Sequence, residues 1–271
     1  MSDRFAPEVE QQIEQLTDMV REARRIVVFT GAGISTESGI PDFRSPGGVW
    51  TKYDPSEFHI DRFLASPESR RRYWQRVTEF YREIVKAMPN AAHYAVVQLE
   101  RMGKLAAVVT QNVDGLHQLA GSAPENVVEL HGSHRAVSCL QCGHSHPRAR
   151  FQEWVTAEGQ APDCEKCGGL MKPATISFGQ MLKPEVLERA GEETQRCDLF
   201  LVVGSSLVVY PAAGLPLLAA RNGAPLAIIN REETPHDGHA AVVIHASAGE
   251  TLTHVVQALA PELPLPTARP N

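Results

Sequence analysis

No apolar run in the chain approaches the roughly 20 residues needed to cross a bilayer. The opening MSDRFAPEVE lacks the apolar stretch that directs secretion, so a cytoplasmic protein without membrane partners is expected. Cysteine is scarce, five in 271 residues, and in a reducing compartment so few point to a metal or free thiols, not to a disulfide framework. Positive charge is also scarce. A net charge of −6 and the lack of a face-sized basic stripe argue against a nucleic-acid partner. The one arginine cluster, Arg70, Arg71, Arg72 and Arg76, reads as the solvated face of a helix. No internal repeat is present. What remains is a globular composition, 43% apolar and 21% charged, in a length that can bury one large core and a small satellite module.

The apolar residues fall into six short runs rich in Val and Ile: Ile26–Thr30, Leu105–Thr110, Val127–Leu130, Leu199–Val203, Leu226–Ile229 and Ala241–His245. They lack clean alternation, the pattern of strands buried on both faces. Val9, Ile13, Leu16 and Val20 repeat at helical spacing ahead of them, predicting a helix over 8–24. Further helices are expected from Asn90, over 184–195 and 211–221, and from 249 to 259. Alternating strands and helices predict an α/β fold, a doubly wound parallel Rossmann-like sheet. Residues 45–90 and 134–175 break the alternation, the first as a loop and polar helical stretch, the second with four cysteines and three histidines. Together they are expected to form a smaller inserted zinc-binding and helical domain. The larger, dinucleotide-binding domain then comprises 1–44, 91–133 and 176–260, with 261–271 a flexible tail.

The strand ends carry the chemistry. The first run empties into GAGISTESGIPDFR, Gly31 to Arg44, and a buried strand feeding a Gly-rich loop brings backbone amides up to a pyrophosphate. The dehydrogenase spacing G-x-G-x-x-G is not met: Thr36 stands where the third glycine should be, and no acidic residue closes a second strand about 20 residues on. The other runs end in QNVDGLH (Gln111–His117), HG (His131–Gly132), GSS (Gly204–Ser206), NRE (Asn230–Glu232) and the small-residue turn Ala246–Gly249. In a parallel sheet all of these share the ligand-binding edge. His131 on that edge has the pKa range of a general base for a ribose hydroxyl. His117, one turn past Asp114, has no such placement and reads as structural. Gln111, Asn112 and Asp114 fit a helix cap and turn as well as a ligand contact. Phe43 and Arg44 close the Gly-rich loop.

Cys139-x-x-Cys142 and Cys164-x-x-Cys167, with 21 residues between the pairs, supply four thiolates for one tetrahedral Zn²⁺. Four thiolates leave no open position, so the ion is expected to be structural. His144 and His146 are then surplus surface histidines, and Cys197, ahead of an apolar strand, a packed thiol.

From Ile26 to Leu259 the chain resembles the sirtuins, NAD-dependent protein lysine deacylases. The resemblance rests on GAGISTESGIPDFRS, GVW (Gly48–Trp50), TQNVDGLH, the HG of His131–Gly132, both CxxC pairs, SFG (Ser177–Gly179), GSSL (Gly204–Leu207) and IN (Ile229–Asn230). It implies NAD as co-substrate, one structural Zn²⁺ and acyl-lysine proteins or peptides as partners. It also implies His131 as the general base. Ala32, Gly33, Thr36, Phe43 and Arg44 would line the NAD loop, with Phe43 over the nicotinamide ribose. Gln111, Asn112 and Asp114 would hold ribose and carboxamide, and Val113 would pack on nicotinamide. Gly204, Ser205, Ser206, Asn230 and the backbone at Ala248 would receive the adenosine half, with Gly31, Arg231 and Glu232 on the same edge. In such enzymes the acyl oxygen attacks the ribose, nicotinamide leaves, and a base drives a ribose hydroxyl onto the acyl carbon, giving lysine and acyl-ADP-ribose.

Three departures bear on specificity. Gln180 follows Phe178-Gly179 where the family carries Glu, removing a charge beside the peptide cleft. Lys172-Pro173 replaces a common Arg-Pro and is expected to change little. Desuccinylating members carry Tyr-x-x-Arg in the helical insertion; here the alignment sets Trp74 and Val77 at those positions, implying a pocket for acetyl or another neutral acyl group. Two other classes compete: a mono-ADP-ribosyltransferase using the same NAD site, marked by nicotinamide release without deacylation, and a non-catalytic zinc module that does not bind NAD.

Overall fold

The computed structural model describes residues 5–263. The tail expected over 261–271 therefore lies, from 264 onward, outside the described residues. The chain opens with α1 (Pro7–Glu22), whose buried Ile13, Leu16 and Val20 are those read from the helical spacing. Then comes β1 (Ile26–Thr30), followed by two helices of the first insertion, α2 (Ile60–Ala65) and α3 (Pro67–Ile84). α4 (Ala91–Arg101), β2 (Leu105–Thr110), α5 (Leu116–Ala120) and β3 (Val127–Glu129) complete the first half. The cysteine-bearing segment is β4 (Gly132–Cys139), β5 (Ser145–Pro147), α6 (Arg148–Gln152) and β6 (Met171–Thr175). The chain closes with α7 (Pro184–Arg196), β7 (Leu199–Val203), α8 (Leu215–Arg221), β8 (Leu226–Ile229), β9 (Val242–Ile244) and α9 (Ala248–Leu259).

Six strands form one sheet in the order β3-β2-β1-β7-β8-β9, every pair parallel, so the winding reverses at β1. The runs lacked alternation because both faces of this sheet are covered. Ile26 and Val28 join a cluster with α1, α4 and α9, while Val27 and Phe29 join the opposite cluster with α7 and α8. All four are fully buried. At the apolar bookkeeping rate, such side chains each contribute about 1.5–3 kcal/mol.

A second sheet, β5-β4-β6, is antiparallel and small. Its core joins both insertions: Phe63, Tyr73, Trp74 and Val77 from the helical stretch pack with Val137, Phe151 and Met171 from the cysteine-bearing one. The expected helix from Asn90 has a local cause. The Asn90 side chain accepts from the Ala92 amide at 2.9 Å while its Nδ2 donates to the Ile34 carbonyl at 2.7 Å, capping α4 and tying it to the Gly-rich loop.

Candidate active site

The C-terminal ends of the strands open into a cleft of about 800 Å³, within the usual range for a ligand site. Every residue read as a cofactor or catalytic candidate lines it: Gly31, Ala32, Gly33 and Thr36 after β1, then Phe43 and Arg44, Gln111 to Asp114 after β2, and His131, the expected base, after β3. Across the reversal come Gly204 to Ser206, Asn230 to Glu232 and, at the start of α9, Ala248. The glycines have a reason beyond bare amides. A Cβ on Gly31 or Gly33 would lie 2.7 Å from the Gly204 backbone, so glycine is what lets the loops after β1 and β7 touch. The Gly33 amide donates to the Gly204 carbonyl at 2.8 Å across that contact.

The loop after β2 is held polar group by polar group. Gln111 Nε2 donates to Ser205 Oγ at 2.8 Å, and Asn112 Nδ2 donates to the Gly31 carbonyl at 3.0 Å. Asp114 accepts from Ser35 Oγ at 2.8 Å through one oxygen and from the Leu116 amide at 2.9 Å through the other. Cap and cleft wall are thus the same side chain. Burial raises the Asp114 pKa, partly offset by the Leu116 amide and the Ser35 hydroxyl. Ser35 escaped the sequence reading although it lies inside the Gly-rich motif. Nothing in the spacing marks its hydroxyl, because only the fold brings it opposite Asp114, 79 residues on.

His131 stands in the turn from β3 to β4. Its Nδ1 is 3.0 Å from the Gln111 carbonyl. A carbonyl only accepts, so Nδ1 carries the proton and Nε2 keeps its lone pair. Burial lowers the His131 pKa below 6.5, against the pull of that carbonyl, and the ring is neutral at pH 7. Gly132 follows with φ of 72°, and a Cβ there would collide with the Ala174 carbonyl, so only glycine lets β4 leave directly after the histidine. His117 is different. It is fully enclosed, its Nε2 lies 3.0 Å from Thr30 Oγ1, and burial lowers its pKa to about 4. It does not line the cleft, in keeping with a structural role.

The opposite wall is apolar and comes largely from the insertions, with Phe43 and Phe178 added at their borders. Phe43 packs on Trp50 at 5.1 Å, and Trp50 lies 5.6 Å from Phe58 and 5.8 Å from Phe178. Tyr73, Val77, Phe80 and Ile84 of α3 line the inner end. Their spacing of four, three and four is that of one helical face, a signal obscured by the arginines before it. Trp74 does not line the cleft, contrary to the expectation that it occupies the tyrosine position. It stacks on Phe151 at 5.5 Å beneath Arg148, because a face shared by 73, 77 and 80 turns position 74 away. Tyr73 and Arg76 both reach the cleft, yet Arg76 is taken by Glu57 at 3.5 Å and Glu79 at 3.8 Å. The arginine cluster is otherwise a solvated face, with Arg72 paired to Glu68. Gln180 Oε1 accepts from the Ser177 amide at 3.2 Å, a bond a carboxylate could also accept, so the departure from Glu changes charge and not the turn. Lys172 is buried, with Nζ on the Pro173 and Thr175 carbonyls at 3.1 and 2.5 Å.

The four cysteines converge. Cys139 and Cys167 sulfurs are 3.5 Å apart and Cys142 and Cys164 sulfurs 3.6 Å, close to the edges of a tetrahedron with bonds of about 2.3 Å. The Cys142 and Gln141 amides point at Cys139 and pull its thiol down to about 6. Despite the Gly169 amide, the neighbouring Cys142, Cys139 and Cys164 sulfurs push Cys167 up to about 12. Four sulfurs this close can be anionic together only around a cation, so the set fits zinc. Cys197 is a buried free thiol against the Thr194 carbonyl, as read.

A sequence profile of the Sir2 family matches residues 31–211. An NAD-dependent protein deacetylase of Rhodopseudomonas palustris is 48% identical over 92% of this chain and 97% of its own. An NAD-dependent protein deacylase 2 of Archaeoglobus fulgidus is 45% identical over 92% and 96%. A solved Sir2 complex with p53 peptide and NAD⁺ superposes with a TM-score of 0.83 at 37% identity, covering 92% of this chain and 99% of that one. Glycine contacts, strand-end polar groups, cysteine tetrad and whole-chain similarity agree: the chain belongs to the Sir2 family.

Proposed function

We propose that this chain is an NAD-dependent protein lysine deacetylase or deacylase. The observation that carries the reading is the bond from His131 Nδ1 to the Gln111 carbonyl, which fixes a neutral imidazole at the sheet edge with Nε2 as proton acceptor. Gly31 to Thr36, with Phe43 and Arg44, would hold the pyrophosphate and nicotinamide ribose. Asn112 and Asp114 would orient the carboxamide end, and Gly204 to Ser206, Asn230 to Glu232 and Ala248 the adenosine end. Bound there, NAD would supply an electrophilic ribose carbon and a nicotinamide leaving group. His131 Nε2 would accept the proton of a ribose hydroxyl, with the carbonyl behind Nδ1 stabilising the resulting imidazolium. The apolar wall excludes water and receives the acyl chain. With Arg76 already paired to two carboxylates, a neutral acyl group is favoured over an acidic one.

Cys139, Cys142, Cys164 and Cys167 would hold one structural Zn²⁺, whose only contribution is to close the knuckles. Residues 1–44, 91–133 and 176–260 would act as the NAD-binding domain, and 45–90 with 134–175 as the smaller one. Thiolate ligands suit a reducing cytoplasm. Among the described residues no helix is long and apolar enough to cross a membrane.

A panel of acyl-lysine peptides assayed with and without NAD tests the reading. Deacylation that requires NAD and releases nicotinamide in step is expected. Nicotinamide release without deacylation would instead indicate ADP-ribosyl transfer.

A further inference from the structure

Beside the four cysteines lies a second cluster of metal-ligating side chains that takes no part in the cleft. His144 and His146 flank Ser145, so strand alternation puts both imidazoles on one face. Glu165 reaches them from the other knuckle, between Cys164 and Cys167. His144 Nε2 is 3.0 Å and His146 Nε2 3.7 Å from the same carboxylate oxygen, and the two rings stand edge to face at 4.7 Å. Each of the three residues offers a ligand atom within 4.8 Å of the others. These are not the bare surface histidines expected from the sequence. Their side chains are only 18% and 14% exposed, while Glu165 is 66% exposed and free to adjust.

We propose that His144, His146 and Glu165 form a second metal site, distinct from the cysteine tetrad, that takes an exchangeable divalent ion of the Zn²⁺, Ni²⁺ or Cu²⁺ class. Bonds of about 2.0–2.2 Å in tetrahedral geometry set ligand atoms roughly 3.4 Å apart, between the 3.0 and 3.7 Å seen here, so the cluster needs only a modest adjustment to hold an ion. Two imidazoles and a carboxylate suit these borderline metals. Three protein ligands leave a fourth position to water, and the site sits at the surface, so its ion exchanges where four thiolates retain theirs. A plain hydrogen bond accounts for the set less well. It satisfies His144, but at 3.7 Å His146 Nε2 is beyond hydrogen-bond reach of the carboxylate, although its ring packs against Phe151 and Trp154. Because Glu165 belongs to one knuckle and the histidines follow the other, a bound ion ties the two knuckles together a second time.

Trp154 reports on the site, its ring 5.2 Å from His146. The zinc-loaded protein is titrated with Ni²⁺ while Trp emission, calorimetric stoichiometry and retained zinc are followed. One equivalent of Ni²⁺ beyond the retained zinc is expected, with saturable quenching. Trp154→Phe should bind Ni²⁺ equally well without the quench. Glu165→Gln, at an exposed position that leaves the fold intact, should weaken binding by more than about tenfold, and His144→Ala/His146→Ala should abolish it. The proposal is overturned by quenching that grows linearly with Ni²⁺, by an unchanged isotherm in these variants, or by structural zinc released in step with Ni²⁺ uptake.

Discussion

In the six-stranded sheet, Ile26 and Val28 face one apolar layer and Val27 and Phe29 the other, and the strands need nothing else to stay buried. The three-stranded module is built differently. Its core is a short set of aromatics, and it also encloses Arg148, sandwiched between the Trp74 and Tyr81 rings at 4.9 Å each, and Lys172 over Tyr73. Arg148 Nη2 donates to Gln152 at 2.8 Å, while its Nε and Nη1 have no partner. Buried cations cost stability that cation–π contacts only partly offset. The sheet therefore has a core of its own, whereas the module would rely on the metal cross-link proposed at its cysteines. The cleft lies where the two meet, a polar edge from the sheet facing an apolar wall largely from the module.

The sharpest way to break this contrast is to remove the cross-link. Structural zinc is worth about 10–16 kcal/mol in small modules. Chelation, or Cys142→Ala, should expose the module to protease and lower the melting temperature. A module that stays protease-resistant without metal would show that its aromatic core suffices. The converse test acts on the sheet: Phe29→Ala should cost about 3–5 kcal/mol in urea unfolding while leaving zinc content unchanged. Loss of zinc in that variant would mean the two regions are not independent.

Acid should act on the buried histidines next. Burial holds His117 at about 4, against 6.5 for an exposed histidine. Between those values the unfolded chain binds a proton that the folded chain refuses, so stability falls as pH drops from 6.5 and has lost ~3 kcal/mol by pH 4. Melting temperature measured against pH should therefore fall less steeply in His117→Gln; equal slopes would remove His117 as a cause. A smaller effect is expected at the cleft edge. Asp114→Asn keeps the shape but turns an amide toward Ser35, whose hydroxyl must then accept where it now donates. The Michaelis constant for NAD should rise roughly tenfold, about 1.4 kcal/mol of binding, with the fold intact. An unchanged constant would reduce Asp114 to a cap.

The sheet was legible because strands covered on both faces must be continuous apolar runs, and Leu199–Val203 was read to the residue. The ligand edge was legible for a related reason: once the strands are parallel, Gly31, Gln111, His131, Gly204 and Asn230 have to share one side. The module was legible through its cysteines and through the break in alternation over 45–90 and 134–175. β4 is polar with an interrupted register and β5 has only three residues, so neither carries a periodic signature, and the α3 face of Tyr73, Val77, Phe80 and Ile84 was obscured by neighbouring arginines. Contacts made by single side chains across the fold, such as Ser35 on Asp114 or Glu165 on His144, leave no trace in spacing.

The proposed base is His131, held by the Gln111 carbonyl. Deacylation by His131→Ala tests that claim most directly, run beside zinc content and NAD binding in the same preparation. Zinc and NAD binding should persist while the rate falls by about 10²–10⁴, the usual worth of a positioned general base. In the parent protein the acid limb of the rate should lie below pH 6.5, since burial lowers the pKa of a base that works unprotonated. Deacylation by His131→Ala near the parental rate would contradict the claim.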